Sequence, residues 1–309
     1  MHPFAKHRRE SVSGWGEARL ISAIRGWLGS ASPSTPFGIG DDCAVLTPSR
    51  GRQLITVDPV IFGRHFDATI PPRGVAEKLL KRNLSDIAAM GGRPVAAVLA
   101  LTLDGKTSVT WLEQFYRGLG GCARKFEVAL VGGDIAQADG VFAASLTLLG
   151  EATGPRILTR VGAKAGDAIY VTGVLGGSLA SGHHFRFRPR LAEGRWLARQ
   201  KDVRSMMDVS DGLAKDLRAL TPPHTEAALD PTALPRRSGA GVRGALCDGE
   251  DYELAFALAR RSDEEKFRRD WRRAFPRTRL TRIGQFAAAD RLPPGAITLG
   301  DYRGYEHLQ

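Results

Sequence analysis

Short apolar runs that end in glycine or polar residues alternate with helical patterns along this chain. That alternation limits the fold more than any single residue does. QLITV (53–57), VAAVLALTL (95–103), EVALVGG (127–133), FAASLTLLG (142–150), AIYVTG (168–173), MMDVS (206–210) and ELAFAL (253–258) read as strands. Residues 17–28, 75–91, 111–126, 195–200 and 210–220 read as helices. Mixed elements of this kind predict α/β and α+β domains. A chain of 309 residues suits two domains of roughly 150 each. The boundary is expected near 150–167, where Gly, Pro, Lys and Arg separate two strand patterns. The Pro-rich stretch 221–241 reads as an irregular connection inside the second half.

The longest apolar run, 95–103, has nine residues, whereas a membrane span needs about 20. It is expected to be a buried strand, and no membrane association is expected. MHPFAKHRRE at the N-terminus has no apolar segment behind it, so no secretory signal is expected. Cys43, Cys122 and Cys247 are scattered, without a CxxC pair. This predicts a reducing, cytoplasmic setting.

The net charge is +11, which attracts polyanions in general without choosing among them. The densest basic run, 260–275, places Phe267, Trp271 and Phe275 four apart. It reads as an amphipathic helix with a capping box at Ser262 and Glu265 and a solvated outer face, with a nucleic-acid surface as the lesser alternative.

The informative acids sit at glycine-rich strand ends: GIGDD (Asp41, Asp42), TVDPVIFGRHFD (Asp58), NLSDIAAMGG (Asp86), VGGD (Asp134), MMDVSDG (Asp208, Asp211) and GEDYEL (Glu250, Asp251). One such site is ordinary turn chemistry; six in a basic chain point to a shared task. Adjacent carboxylates such as Asp41 and Asp42 need a positive partner. Oxygen-rich clusters beside glycine backbone suit magnesium, which bridges carboxylates to substrate phosphates. Asn83 and Asp86 are three apart on one helical face, so Asp86 either points towards a ligand or makes a buried hydrogen bond. No GK[ST] ends a glycine loop, so there is no Walker A motif. GVLGGS (173–178) could cradle phosphate, and HHFRFRPR (183–190) could meet anions or lie as an exposed loop. Zinc is not expected, because histidines and cysteines lack ligand spacing.

FGIGDDCAVL, NLSDIAAMGG, VGGD, LTRVGAKAGD, DVSDGLAKDL and GEDYEL occur in the order found in thiamine-monophosphate kinases. The chain therefore resembles that family, within the aminoimidazole ribonucleotide synthetase-like superfamily, from about Gly16 to Tyr305. The resemblance implies two domains: 1–152, an N-terminal dimerising α/β domain that binds ATP and metal, and 153–309, a C-terminal ferredoxin-like α/β sandwich that completes the nucleotide and substrate site. It implies transfer of the γ-phosphoryl group of ATP to thiamine monophosphate, with several magnesium ions, in a homodimer. By motif, Asp42, Asp58, Asp86, Asp134, Asp208 and Asp211 are implied metal ligands at the catalytic centre, with Thr56 and Val57 beside Asp58. Gly133, Asp134, Arg160 and Ser210 are implied ATP contacts. His65, Glu250 and Tyr305 are implied contacts of the thiamine phosphate.

Three departures stand out. Val57 replaces a threonine of the family pattern, Ile135 and Ala136 replace two threonines after GGD, and the stretch between GGS and DVSDG is shorter. They leave two alternatives open: a superfamily member with a different acceptor, or a catalytically weakened homologue that binds nucleotide or nucleic acid.

Overall fold

The computed structural model describes residues 1–35, 37–39, 43–46 and 51–306. The chain divides into two compact units, Met1–Ile87 with Arg93–Glu151, and Ala88–Gly92 with Ala152–Gln309.

The first unit contains α1 (Val12–Trp15), α2 (Glu17–Leu28), β1 (Gln53–Ile61), α3 (Pro72–Ala89), β2 (Gly92–Leu103), α4 (Val109–Lys125), β3 (Ala129–Gln137) and β4 (Phe142–Ala152). Its sheet runs in the order β1-β4-β2-β3. β2 and β3 are parallel and joined through α4, while β1 lies antiparallel to β4 with Val57 opposite Thr147. β4 keeps a period of two: Phe142, Ala144, Leu146 and Leu148 are buried, and the residues between them are half-buried. Phe142 packs edge-on against Trp111 of α4 at 4.6 Å, and α4 is capped by Ser108, which accepts from the Trp111 amide. The opposite face of the sheet is open: Ile55, Val57 and Val98 are 71%, 60% and 40% exposed. β1 continues past the expected 53–57 through Pro59. It is an edge strand, where a missing N–H costs least. α3 starts at Pro72, three residues before the expected start, because proline suits the first helical turn.

The second unit contains β5 (Ala168–Thr172), α5 (His183–Arg186), α6 (Leu191–Arg199), β6 (Val203–Asp208), α7 (Leu213–Leu220), β7 (Thr225–Leu229), α8 (Val242–Cys247), β8 (Leu254–Leu258), α9 (Glu264–Ala274) and β9 (Leu280–Ala288). The sheet order is β6-β8-β5-β9-β7 with antiparallel pairing. Taken as first to fourth strands, β5, β6, β8 and β9 give the βαββαβ pattern in the order 4-1-3-2, the ferredoxin-like arrangement. α7, β7 and α8 are inserted between its second and third strands.

Several expectations need correction. The 221–241 stretch holds a strand, β7, on the sheet edge beside β9. The cap of α9 is Asp263, whose side chain accepts from the Lys266 amide at 2.9 Å, and not Ser262. HHFRFRPR is not an exposed loop: His184 and Phe187 are buried. Within it, Arg190 makes two 2.6 Å bonds to the buried Glu253 carboxylate. No helix among the described residues is long and apolar enough to cross a membrane.

Candidate active site

In the first unit, strand alternation decides which side chains can act. Thr56 and Asp58 share one face of β1 and meet α3; Val57 faces the open side. The Thr56 hydroxyl donates to the Asp86 carboxylate at 2.5 Å. Arg82 of α3 donates to Asp58 at 3.1 Å and to the Pro59 carbonyl at 2.6 Å. Asp86 thus accepts a hydrogen bond, and Asp58 sits in an ion pair. The Val57 side chain has no donor and points away from both acids, so only its backbone is on hand for a ligand. The threonine missing at this position would have faced the open side too.

Asp134 lies exposed on β3 beside a cavity of about 510 Å³ lined by Glu17, Ile24, Leu28, Tyr116 and Gly133, with Ile135 in place of the family's threonine. Gly133 is required for packing: a Cβ there would run into the Leu99 carbonyl of the neighbouring strand. His65 follows β1. Its Nδ1 accepts from the Ile61 amide at 3.2 Å, which leaves Nε2 as the N–H donor of the neutral ring. Asp41 and Asp42 lie outside the described residues.

In the second unit, residues far apart in sequence gather at the end of β6. Asp208, 4% exposed, closes the strand. The loop after it is held by Asp216 of α7. One Asp216 carboxylate oxygen accepts from the amides of both Ser210 and Asp211, each at 2.9 Å. Burial raises the Asp216 carboxyl to about 7. These two amide bonds and the charge of Arg160 act in the opposite direction; Thr159, the residue before Arg160, accepts from the Met206 amide of β6 at 2.9 Å. Asp211 pairs with Lys215 at 2.9 Å. The Glu250 amide donates to the Ser210 carbonyl at 2.7 Å, so the GEDYEL turn lies on the same loop. Glu250 and Tyr252 both have positive φ, 54° and 51°, backbone strain of a kind that clusters at functional sites. The Glu250 carboxylate faces His184 at 3.6 Å.

The C-terminal tail returns to the same place. The Tyr305 amide donates to the Asp211 carbonyl at 2.8 Å, and Lys215 donates to the Tyr305 carbonyl at 2.6 Å. Gly304 permits this approach, since a Cβ there would collide with the Asp211 carbonyl.

The phosphate-cradle reading of GVLGGS does not survive. Its amides are already taken: Gly176 N–H by Asp251 at 3.0 Å and Gly177 N–H by Asp248 at 2.7 Å. Ser178 and Arg237 complete the shell of Asp251. Carboxylates fill the loop, so it is a structural joint.

Of the expected site residues, Asp58, Asp86 and Thr56 come together in the first unit, with His65 and Asp134 elsewhere in it. Asp208, Ser210, Asp211, Arg160, Glu250 and Tyr305 come together in the second. Among the described residues, no group of three His, Cys, Asp or Glu side chains is placed to hold a metal ion. Sequence reasoning missed Asp216. Its signal was available: with Leu213, Leu217 and Leu220 it occupies the buried stripe of α7, where an acid needs a partner.

Residues 40–152 match the family described as AIR synthase related protein, N-terminal domain. The thiamine-monophosphate kinase of Rhodopirellula baltica is 36% identical over 247 residues, 74% of this chain and 77% of the relative. The crystal structure of the thiamine-monophosphate kinase from Stenotrophomonas maltophilia superposes with a TM-score of 0.74 at 29% identity, covering 86% of this chain and 94% of that one. The structure of AaThiL complexed with AMPPCP and TMP superposes with a TM-score of 0.70 at 27% identity, covering 95% and 97%. By this identity over most of its length, the chain belongs to the thiamine-monophosphate kinase family.

Proposed function

We propose that this protein transfers the terminal phosphoryl group of ATP to thiamine monophosphate, giving thiamine diphosphate and ADP. The observation that carries the reading is the match, over 95% of this chain, to a kinase structure holding an ATP analogue and TMP. An oxygen of the acceptor phosphate attacks the γ-phosphorus while the bond to the β-phosphate oxygen breaks. The acceptor has a second pKa near 6, so it is largely ionised at neutral pH and needs no general base. Positioning and charge shielding remain as the protein's task.

Hard carboxylate and hydroxyl oxygens make up the donor set, and such donors fit magnesium. In the first unit Asp58, Asp86 and Asp134, with Thr56, the Val57 carbonyl and Asp42, would hold it, and in the second unit Asp208 and Asp211 would do so. When bound, it neutralises charge between two polyanions. Arg160 serves the ATP phosphates alongside the Ser210 loop, and Gly133 keeps the backbone beside Asp134 uncrowded. His65 presents its Nε2 proton to the acceptor phosphate. Glu250 and the Tyr305 ring receive the cationic thiazolium, which both a carboxylate and a ring face favour.

The protein works as a homodimer that pairs through the open face of the first sheet, where Ile55 and Val57 leave apolar surface uncovered. The reaction belongs to the cytoplasm, in keeping with the free cysteines Cys43, Cys122 and Cys247. The test is direct: incubate purified protein with magnesium, ATP and thiamine monophosphate, and separate the products chromatographically. Thiamine diphosphate formed with one ADP per turnover supports the reading. ATP consumption only with a different phosphorylated acceptor would replace it.

A further inference from the structure

Residues 260–282 carry ten Arg and Lys against four acids, a surplus of +6 out of the chain's +11. The structure shows how that surplus is arranged. All four acids are engaged. Asp263 caps α9. Glu264 takes the Tyr170 hydroxyl at 2.5 Å and faces Arg282 at 3.7 Å. Glu265 pairs with Arg269 and Asp270 with Lys266. Arg268, Arg272, Arg277 and Arg279 instead line a groove of about 350 Å³ between the end of α9 and the start of β9, floored by Trp271 and Phe275. Among the described residues no carboxylate pairs with any of these four. Basic residues in a helix's last turn complement its dipole. That accounts for Arg272 but not for Arg277 and Arg279, which lie beyond the helix.

We propose that this groove binds single-stranded nucleic acid through its phosphodiester backbone. Arg268 and Arg272 form an i, i+4 row, about 6 Å apart along the axis, and Arg277 and Arg279 continue it past the helix end. Guanidinium groups match phosphate oxygens in fork geometry. A concave groove takes a strand, whereas the convex surface of a duplex fits it poorly. The groove is also larger than one phosphate needs. A membrane is disfavoured because no large apolar side chain of 260–282 is exposed: Trp271 is 2% exposed and donates its indole N–H to the Thr278 carbonyl at 2.9 Å. None of the four arginines belongs to the proposed kinase site.

The experiment measures anisotropy of a fluorescein-labelled 12-nucleotide oligouridylate on the full-length protein, from about 50 to 200 mM salt. The expected result is micromolar binding that weakens steeply with salt. Each phosphate contact on a single strand contributes about 0.7 to the slope of log affinity against log salt. The Arg268→Ala/Arg272→Ala/Arg277→Ala variant should therefore lose about 2 from that slope and bind at least tenfold more weakly, with unchanged kinase turnover. If the triple variant melts early, Arg277→Ala alone, outside the helix, should lose about 0.7. No binding at 50 mM salt, or equal binding by the variants, overturns the proposal. Displacement of the oligonucleotide by ATP at equal phosphate concentration would show a small-anion site instead. Displacement by anionic vesicles would show a membrane surface. Either result overturns it as well.

Discussion

Tyr305→Ala separates what the tail does from where the tail sits. The tail is tied down by main-chain atoms of Tyr305, its amide to Asp211 and its carbonyl to Lys215. Alanine keeps both bonds. The ring of this residue, which is 38% exposed as a whole, is removed, and the backbone around Asp211 stays as it was. A cation over an aromatic ring contributes about 0.5–2 kcal/mol. At 1.4 kcal/mol per factor of ten, KM for thiamine monophosphate should rise about two- to thirtyfold. KM for ATP should stay within error, and the melting midpoint should fall by no more than about 4 °C. Gly304→Ala is the contrast. Its new Cβ meets the Asp211 carbonyl and the Lys215 side chain, so the tail and the Asp211 loop must shift together. Both Michaelis constants should then rise, and kcat should fall. The assay is steady-state kinetics with each substrate varied, beside thermal unfolding. If Tyr305→Ala raises both constants in parallel, or lowers only the melting midpoint, the ring is packing and not recognition, and the acceptor assignment of Tyr305 is wrong.

Asp216→Ala deprives two loop amides of a shared acceptor; with the carboxyl raised to about 7 it is partly protonated at neutral pH, so each bond contributes about 1–1.5 kcal/mol. Because water can reach the half-buried loop, the expected loss is about 2–3 kcal/mol, or about 4–12 °C in midpoint, with kcat down at least tenfold; unchanged melting and turnover would show that the loop holds itself. Asp86→Asn and Asp208→Asn should each abolish turnover without unfolding the chain, and near-normal activity at limiting magnesium would make these acids structural. Burial pushes the Cys122 thiol up to about 12, so at pH 8 its reactive thiolate is scarce. Iodoacetamide should label exposed Cys43 on the native protein and Cys122 only after unfolding, as read by peptide mass spectrometry. Val57→Glu should convert a dimer to monomers in sedimentation at micromolar concentration; a monomeric parent protein would refute the pairing face.

What could be read from the sequence follows from how local each signal is. FAASLTLLG announces β4 because alternation is complete within nine residues, and Phe267 and Trp271 announce α9 by their spacing. β7 and β9 were invisible for the opposite reason. TEAAL follows two prolines and a histidine, and LTRIGQFAA carries Arg282, Gly284 and Gln285 in the strand. Their strand character comes from the partner strands they meet and is not written in their own pattern. The site divides in the same way. Asp58, Asp86, Asp134, Asp208 and Asp211 stand out through glycine neighbours and shared family motifs. That Arg160, Glu250 and Tyr305 surround one loop is a property of chain return, which no window of sequence contains. Asp248 and Asp251 show the reverse error: GVLGGS looked open to phosphate because the acids that fill it lie some 70 residues away.

The order of the second sheet sets a timetable for synthesis. β5 is its central strand and emerges first, yet both of its neighbours, Leu254–Leu258 and Leu280–Gln285, emerge last. At about 5–20 residues per second, the roughly 90 residues between Ala168 and Leu258 take about 5–18 s to make. Throughout that interval Ile169, Tyr170 and Val171 present an apolar strand with two unpaired edges, a form prone to pairing with other chains. Co-expression with a chaperone should therefore raise the soluble yield of this protein. A stop codon before β9 would leave one edge of β5 unpaired permanently, so C-terminal truncations should be recovered as aggregates even when every proposed catalytic aspartate is intact.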